Sequence, residues 1–255
     1  MSSAATRRRI GILGVAVDDL TEEEALERIA GLIAAGGPHQ VVTVNPEFIM
    51  EARRNSASRR VLAAADMATA DGFGLLLVAR WRGMPFRGRV TGVALVERLA
   101  ALAAARGWSL FLLGAAPGVA ERAAEALRRA HPALRVAGCF AGSPRAADEP
   151  AIRARIAAAR PDVLLVAYGH PAQDLWIARN QPQLRVPVAI GSGGTFDYLA
   201  GVAPRAPAWV RRLGLEWLYR LLRQPRRWRR ILVAVPLFLW AALREGQPAR
   251  GLRRR

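Results

Sequence analysis

Short apolar runs alternate with helix-forming segments along most of the chain, and this alternation constrains the fold more than any other feature. Strands that alternate with helices imply βαβ crossovers and a mostly parallel sheet. We therefore predict a Rossmann-like α/β fold, with a mostly parallel sheet flanked by helices. The predicted strands are Ile10 to Val17, Gln40 to Val44, Trp108 to Leu113, Leu134 to Cys139, Asp162 to Ala167 and Val186 to Ile190. The predicted helices are Thr21 to about Ala35, one from Pro46, Leu75 to Arg82, Val93 to Arg106, Pro117 to Ala130, Pro150 to Arg160 and Pro171 to Asn180.

The charge is strongly positive and concentrated near the end of the chain. The net charge is +18, and all 38 basic residues are arginines. Residues 205–255 hold 14 of these arginines but only two of the 20 acidic residues. Leucines and tryptophans recur among the arginines at helical spacing, up to a break at Pro225. We therefore predict an α/β core over residues 1–200, followed by a basic, amphipathic helical appendage over residues 201–255.

The sequence indicates a cytoplasmic protein that associates with the membrane surface. The longest apolar run, Ile231 to Leu243, has 13 residues and contains Pro236, whereas a spanning helix needs about 20. Arg7 to Arg9 precede a short apolar stretch, but Asp18 follows with no small-residue cleavage site, which is unlike a signal peptide. We expect the basic tail to place the protein on the cytoplasmic face of the plasma membrane, where anionic lipids attract arginine.

Several chemistries are excluded by residue type. A chain without lysine has no Walker A motif, and no Gly-x-Gly-x-x-Gly opens the first helix. Three separated histidines and a single cysteine, Cys139, do not form a typical zinc site. There is also no Asp-x-Asp pair of the kind that holds a metal-bound nucleotide diphosphate. We therefore expect no metal and no cofactor, while the glycine-rich turns after the strands remain candidates for binding phosphate.

Asp71 is the strongest candidate for a catalytic residue. It lies between a short apolar stretch, Met67 to Ala70, and a glycine turn that begins at Gly72. A carboxylate at the rim of a sheet, on a backbone that lets a substrate approach, is suited to act as a general base. The alternative is that Asp71 only caps the helix that begins at about Leu75.

Seven short motifs occur in an order that is similar to one bacterial enzyme family. They are Thr43-x-Asn45, Asp71-Gly72-x-Gly74, Arg89-Val90-Thr91-Gly92, Gly169-x-Pro171-x-Gln173-Asp174-x-Trp176, Gly191-x-Gly193-Gly194-x-Phe196-Asp197, Arg205-Ala206-Pro207-x-Trp209 and the run from Gly214 to Leu221. Together, from about Ile10 to Arg230, they resemble the WecG/TagA/CpsF family of glycosyltransferases. The resemblance implies an inverting, metal-independent transfer of N-acetylmannosamine or another hexose from a UDP-sugar to a polyprenyl-diphosphate-linked sugar. The products of that family feed teichoic acid, common antigen, capsule or exopolysaccharide.

The resemblance also assigns roles to individual residues. Asp71 matches the catalytic base of the family. The residues that match its substrate pocket are Thr43, Asn45, Arg89 and Gln173, with Gly193, Gly194 and Asp197 near the nucleotide. The tail arginines that match are Arg220, Arg227 and Arg230, which we expect to meet the acceptor diphosphate and the membrane. Two positions depart from the family pattern: Ala94 replaces an acidic residue and Asp174 replaces a glutamate.

Two other functions remain open from the sequence. The net charge also suits a nucleic-acid-binding protein, although nucleic-acid-binding helices usually keep a broad basic face without interleaved tryptophan and leucine. The second alternative is that the protein is an inactive relative of the family with a role in assembly, because Ala94 stands where the family usually has an acidic residue. Thr43 and Asn45 are also explained as an ordinary strand residue and a turn former, and His170 as a residue that shapes a turn. Oligomers are possible, and the sequence names neither the sugar nor the acceptor.

Overall fold

The computed structural model describes residues 7–207, 209–210, 216–223 and 236–245. Its first element is a hairpin of two antiparallel strands, β1 (Arg9–Ile12) and β2 (Val15–Asp18). The prediction of one strand over Ile10 to Val17 is therefore wrong. Leu13 and Gly14 both have positive φ angles, of 50° and 79°, as in the tight turns that reverse a chain between two strands.

The remaining six strands form one parallel sheet. They are β3 (His39–Val44), β4 (Met67–Ala70), β5 (Ser109–Gly114), β6 (Arg135–Phe140), β7 (Val163–Ala167) and β8 (Val188–Gly191). Their order across the sheet is β4-β3-β8-β7-β5-β6, and every neighbouring pair is parallel. The predicted α/β fold with a parallel sheet is confirmed, and β4 is a strand that the sequence analysis had treated only as an apolar stretch.

Eleven helices connect and flank the strands in the described residues. They are α1 (Glu22–Ala35), α2 (Pro46–Arg54), α3 (Ser56–Ala64), α4 (Phe73–Trp81), α5 (Gly92–Arg106), α6 (Val119–Ala130), α7 (Glu149–Ala159), α8 (Ala172–Leu184), α9 (Thr195–Leu199), α10 (Glu216–Arg223) and α11 (Phe238–Arg244). Thr21 and Glu24 cap α1 reciprocally, and Thr91 caps α5. Helix α8 continues four residues beyond its predicted end at Asn180. None of the helices in the described part of the chain is both long enough and apolar enough to cross a membrane.

Both faces of the sheet are buried. Alternate residues of one strand enter different clusters, so that Leu110 and Leu112 of β5 pack with α1, α5 and α6, whereas Phe111 and Leu113 pack with α7 and α8. On the β3–β4 side, the second face is covered by the hairpin and by α2, α3, α4 and α11. A parallel sheet covered in this way exposes its strand ends, and ligands bind beyond the carboxyl ends.

Helix α11, the last described element, belongs to this core. Phe238 is fully buried and packs in the same cluster as residues of α2 and α4. The buried guanidinium of Arg82, just after α4, donates a hydrogen bond to the carbonyl of Ala242 at 3.1 Å and contacts Glu245 at 3.3 Å. The described end of the appendage is therefore attached to the β3–β4 half of the core.

The arginines before the hairpin are ion-paired. The buried carboxylate of Asp18 lies 2.6 Å from Arg7 and 3.1 Å from Arg9, and it also accepts a hydrogen bond from the amide of Ala68 at 2.8 Å. Arg8 pairs with the buried Asp19 at 3.2 Å. The bond to Ala68 attaches the hairpin to β4, and the ion pairs give each of the arginines from Arg7 to Arg9 an acidic partner.

Candidate active site

The candidate site lies at the carboxyl edge of the sheet, where the ends of β3, β4, β7 and β8 meet. In sheet order these strands lead into Asp71, Asn45, the glycine turn that begins at Gly191, and His170. The central strands of the sheet are β3, β8 and β7. On one side of them lies β4, and on the other side lie β5 and β6. A crevice at the carboxyl ends of such central strands is the usual ligand site of an open α/β sheet.

Asp71 is fixed at this edge by two hydrogen bonds. Its amide donates to the carbonyl of Val44 at 2.8 Å, which continues the β3–β4 pairing by one residue. Its Oδ2 accepts a hydrogen bond from the amide of Gly92 at 3.0 Å, at the N-terminus of α5. Gly72, not Asp71, precedes α4 as its cap residue, and no side chain caps that helix. The alternative that Asp71 merely caps α4 is therefore wrong.

Gly72 allows the two strand ends to approach each other. A Cβ atom at this position would lie 2.7 Å from Cδ of Pro46, which is shorter than any normal contact. Pro46 is held in the first turn of α2, and its ring has little freedom to move. The turn after Asp71 thus packs against Asn45 and Pro46 because Gly72 has no side chain.

Thr43 and Asn45 both make hydrogen bonds within the protein. Thr43 is buried, and its Oγ1 donates to the carbonyl of Gly191 at 3.2 Å, linking β3 to the end of β8. Asn45 caps α2, since its Oδ1 accepts from the amide of Phe48 at 2.8 Å. These bonds explain why both residue types stand there, and contact with a substrate stays a prediction for both.

Gln173 joins two of the loops that form the site. Its side chain is fully buried, and its Oε1 accepts hydrogen bonds from the amides of Gly169 at 3.1 Å and of Gly193 at 2.9 Å. The amide side chain therefore fixes the turn after β7 against the turn after β8. Its predicted contact with substrate is not tested by this geometry, which assigns it a positioning role.

Arg89 connects the site to the appendage. Its Nη2 lies 3.4 Å from the carboxylate of Glu216 on α10, and the amide of the next residue, Val90, donates to the carbonyl of Ala70 at the end of β4. The Nε atom of Arg89 is buried and makes no hydrogen bond within the described part of the chain. Arg89 thus lies next to the end of β4, and both its place in the substrate pocket and its contact with a diphosphate stay predictions.

The remaining predicted residues are placed only in part. Gly194 precedes α9, and a Cβ at Gly194 would lie 3.7 Å from a carboxylate oxygen of Asp197. A Cβ at Gly92 would lie 3.6 Å from Asp71 and 3.5 Å from Thr195, so the glycine turn and Asp71 are neighbours. Arg220 lies in α10, but its side chain is not among the described parts of the structure. Arg227 and Arg230 lie outside the described residues.

An ion pair at this edge was not predicted from the sequence. Nδ1 of His170 lies 2.7 Å from Oδ2 of Asp174, and the two residues are four apart at the start of α8. Burial is the largest single influence and favours the neutral ring. The charges of Asp174, Glu47 and Asp71, with the hydrogen bond that the ring donates to Asp174, outweigh it and raise the pKa of His170 above 6.5. The four-residue spacing was the available signal.

Other reactive or concave features lie away from this edge. An open concavity at the amino edge of the sheet is lined by Ser109, Arg135 and Arg160, among others, and includes none of the predicted site residues.

Cys139, in β6, is half-buried, and burial raises the pKa of its thiol to about 11. At neutral pH this cysteine is therefore protonated and a poor nucleophile.

A parallel α/β sheet with a carboxylate, an arginine and a glycine turn at its carboxyl edge is the arrangement in which open α/β proteins bind ligands. The chain belongs to the WecG/TagA/CpsF family of glycosyl transferases, whose model matches residues 10–251. The chain is therefore a glycosyltransferase of the class that its motifs resemble.

Two relatives illustrate the match. An N-acetylglucosaminyldiphosphoundecaprenol N-acetyl-beta-D-mannosaminyltransferase from Bacillus spizizenii is 36% identical over 204 residues, which cover 80% of this chain and 78% of that protein. A protein of the same name from Staphylococcus aureus is 31% identical over 236 residues, or 91% of each chain.

Proposed function

We propose that this protein transfers a sugar of the N-acetylmannosamine type from a UDP-sugar to a polyprenyl-diphosphate-linked sugar, with inversion at the anomeric carbon and without a metal. The observation that carries the proposal is the position of Asp71, fixed by Gly92 beside the glycine turn in a chain of this family. The names of the relatives supply the acceptor class and a β-linked product.

Asp71 acts as the general base. The acceptor hydroxyl attacks the anomeric carbon from the face opposite the nucleotide, and its proton passes to the Asp71 carboxylate. The bond between that carbon and the phosphate oxygen breaks at the same time, and its electron pair leaves with UDP. One oxygen of Asp71 is held by the Gly92 amide, which fixes the orientation of the carboxylate that receives the proton.

Arg89 is the proposed counter-charge for a diphosphate. A guanidinium offers a planar pair of donors that fits phosphate oxygens. The side chain of Arg89 is 23% exposed, and its ion pair with Glu216 is long, at 3.4 Å. We propose that a bound diphosphate replaces Glu216 as its partner, which would couple substrate binding to the position of α10.

Contact with the membrane surface is supported by the distribution of exposed apolar side chains. In the described residues, ten large apolar side chains are exposed, and none lies between residues 82 and 201. Three of them, Phe73, Leu77 and Trp81, follow one face of α4 directly after the Asp71-Gly72 turn, and three more lie in or beside α11. A clustered apolar surface of this kind marks an interface. We propose that it rests on the cytoplasmic leaflet, where the acceptor lipid is found.

The test of the proposed reaction is direct. The full chain is incubated with UDP-N-acetylmannosamine and other UDP-sugars, together with a short-chain polyprenyl-diphosphate-N-acetylglucosamine, and UDP release is measured. We expect release that depends on the acceptor, and a β-linked product by NMR. Release that is equal with and without acceptor, for every donor, would contradict the proposal.

Membrane contact is tested by flotation with anionic and neutral liposomes, beside a nucleic-acid gel shift at physiological salt. We expect Leu77→Glu to reduce flotation, because it places a charge within the exposed face of α4. Arg122→Glu, on α6, is the control that adds acidic charge elsewhere. A shift with nucleic acid but no flotation would favour the nucleic-acid-binding function instead.

A further inference from the structure

The ion pair of His170 and Asp174 has no role in the reaction as proposed above. Asp174 is fully buried, and His170 retains 11% of its side-chain exposure. The 2.7 Å contact is made by Nδ1, so the carboxylate fixes a proton on that nitrogen and fixes the orientation of the ring. The pair is therefore built to present the other ring nitrogen, Nε2.

Nε2 of His170 makes no hydrogen bond with any residue in the described parts of the chain. The ring packs against Phe48 of α2, with ring centroids 4.9 Å apart, and Gln173 lies beside Nδ1. Neither neighbour is charged. The ring is thus held on two sides, and the nitrogen that remains is the one through which it can meet a ligand.

Three carboxylates face this ring from three parts of the fold. Asp174 is on α8, Glu47 is on α2 and Asp71 follows β4. Burial favours the neutral ring, but the charges of these carboxylates, Asp174 above all, outweigh it and raise the pKa of His170. Three carboxylates alone would repel a diphosphate, so a cation among them is what a phosphate-bearing ligand requires at this edge.

We propose that Nε2–H of His170 donates a charge-assisted hydrogen bond to a diphosphate oxygen of the substrate. The diphosphate belongs either to the UDP-sugar donor or to the polyprenyl-linked acceptor. This inference rests on the proposed function. No bond to His170 forms or breaks, and the ring keeps its proton throughout. Asp174 is a positioning residue that acts through the ring, and it stands where the family usually has a longer glutamate.

Binding measurements distinguish the two sources of the diphosphate. UDP is titrated calorimetrically into the full-length wild type, His170→Gln and the control His131→Gln, and the KM for the acceptor is measured in parallel. A loss of about 10- to 100-fold in UDP affinity, the usual scale for a hydrogen bond between charged groups, indicates the donor. Unchanged UDP affinity with a raised acceptor KM indicates the acceptor. If neither changes in His170→Gln, the inference is overturned.

A second measurement uses the wild type, so it does not depend on the folding of a variant. Protein with 15N-labelled histidines is titrated with UDP and with inorganic pyrophosphate, and the ring signals are followed by NMR from pH 6 to 9. We expect the Nε2 signal of His170, identified by its loss in His170→Gln, to shift on binding and its pKa to rise further. A ring that does not respond to either ligand or to the acceptor overturns the inference.

The role of Asp174 has its own readout. The affinity for UDP or pyrophosphate should fall as the pH rises and His170 loses its proton. In Asp174→Asn this fall is expected at lower pH, because the ring has lost its negative partner, and Asp174→Glu should restore the wild-type pH profile. An unchanged profile in a folded Asp174→Asn variant contradicts the positioning role. If the wild type binds pyrophosphate through His170 but releases no UDP with any sugar, the proposed function fails and this inference stands.

Discussion

The carboxylate of Asp71 and the amide of Gly92 lie 3.0 Å apart, and this hydrogen bond joins the end of β4 to the first turn of α5. The N-terminus of a helix stabilises negative charge through its free amides and its dipole. The bond therefore fixes the orientation of the carboxylate at the carboxyl edge of the sheet.

Asp71→Asn is expected to lower turnover on the order of 10²–10⁴-fold, the range usual for general acid–base catalysis. UDP affinity should hardly change, since the amide keeps the shape of the side chain and an oxygen for the Gly92 bond. Turnover is measured by UDP release and affinity by calorimetry. Asp148→Asn, an exposed aspartate before α7, is the matched control. Wild-type turnover in Asp71→Asn would remove the carboxylate from the mechanism.

Gly72→Ala is expected to impair activity by displacing Asp71. The added Cβ would meet Cδ of Pro46 at 2.7 Å, and forcing such a contact costs about 1–3 kcal/mol in a packed region. Thermal melting and UDP release measure the two effects. Gly31→Ala is the control, because a Cβ there meets nothing within 4 Å inside α1, and we expect it to stabilise by about 0.5–1 kcal/mol. Equal behaviour of the two variants would show that Gly72 is not required for close packing.

Gln173→Ala is expected to loosen the two turns that the side chain joins. The partly buried amides of Gly169 and Gly193 lose their acceptor, and a donor that is fully buried without a partner costs about 1–3 kcal/mol. Urea unfolding should show a decrease in stability of about 2–4 kcal/mol, with a raised KM for the donor. The exposed Gln183, mutated to alanine, should change stability by less than about 0.5 kcal/mol. A stable Gln173→Ala with normal KM would mean that the turns hold each other without this residue.

The free protein should lose a contribution to stability as the pH rises through the folded-state pKa of His170. That pKa is raised from 6.5, so the stabilisation by Asp174 is fully present below the unfolded value and disappears above the folded one. Urea unfolding without substrate, from pH 6 to 9, is compared between the wild type and His170→Gln. The difference in unfolding free energy between them should shrink with rising pH. A constant difference for His170→Gln would disprove the linkage.

Turnover should survive treatment with EDTA. The proposed reaction balances the diphosphate charge with Arg89 and His170, so removal of divalent cations should leave the rate within about twofold, a change worth less than 1 kcal/mol in the barrier. UDP release is measured after dialysis against EDTA and again after addition of Mg²⁺ or Mn²⁺. Activity that returns only with a metal would show that the donor site uses one.

The periodic parts of the fold could be predicted from the sequence, and the short or irregular parts could not. Strands β5 and β7 are continuous apolar runs, and their predicted bounds agree with the structure to within a residue. Met67 to Ala70 was not assigned as a strand because alanine and methionine are weak strand formers and the segment has four residues. The hairpin was missed because the apolar character continues through its turn at Leu13 and Gly14.

The site could be predicted only as a set of residues, not as a set of contacts. Asp71 and Gly92 are 21 residues apart, and Gln173 and Gly193 are 20 apart, so no local pattern relates them. The motif order placed these residues at strand ends, where a parallel sheet brings them to one edge. The contacts within the site are hydrogen bonds from backbone amides to side-chain oxygens, and a pattern of side chains in the sequence does not show which amide meets which side chain.

The position of β8 has a consequence for how the protein is made. β8 lies between β3 and β7, so it separates two groups of strands, β4-β3 and β7-β5-β6, each built from neighbouring parts of the chain. A chain that emerges from the ribosome can begin to pack each group early, but it cannot join them until residue 191 has been synthesised. Asp71 belongs to the first group and His170 to the second. The edge that carries both residues therefore comes together late in synthesis, and a chain that stalls before β8 holds Asp71 and His170 in two groups of strands that nothing yet joins into one sheet.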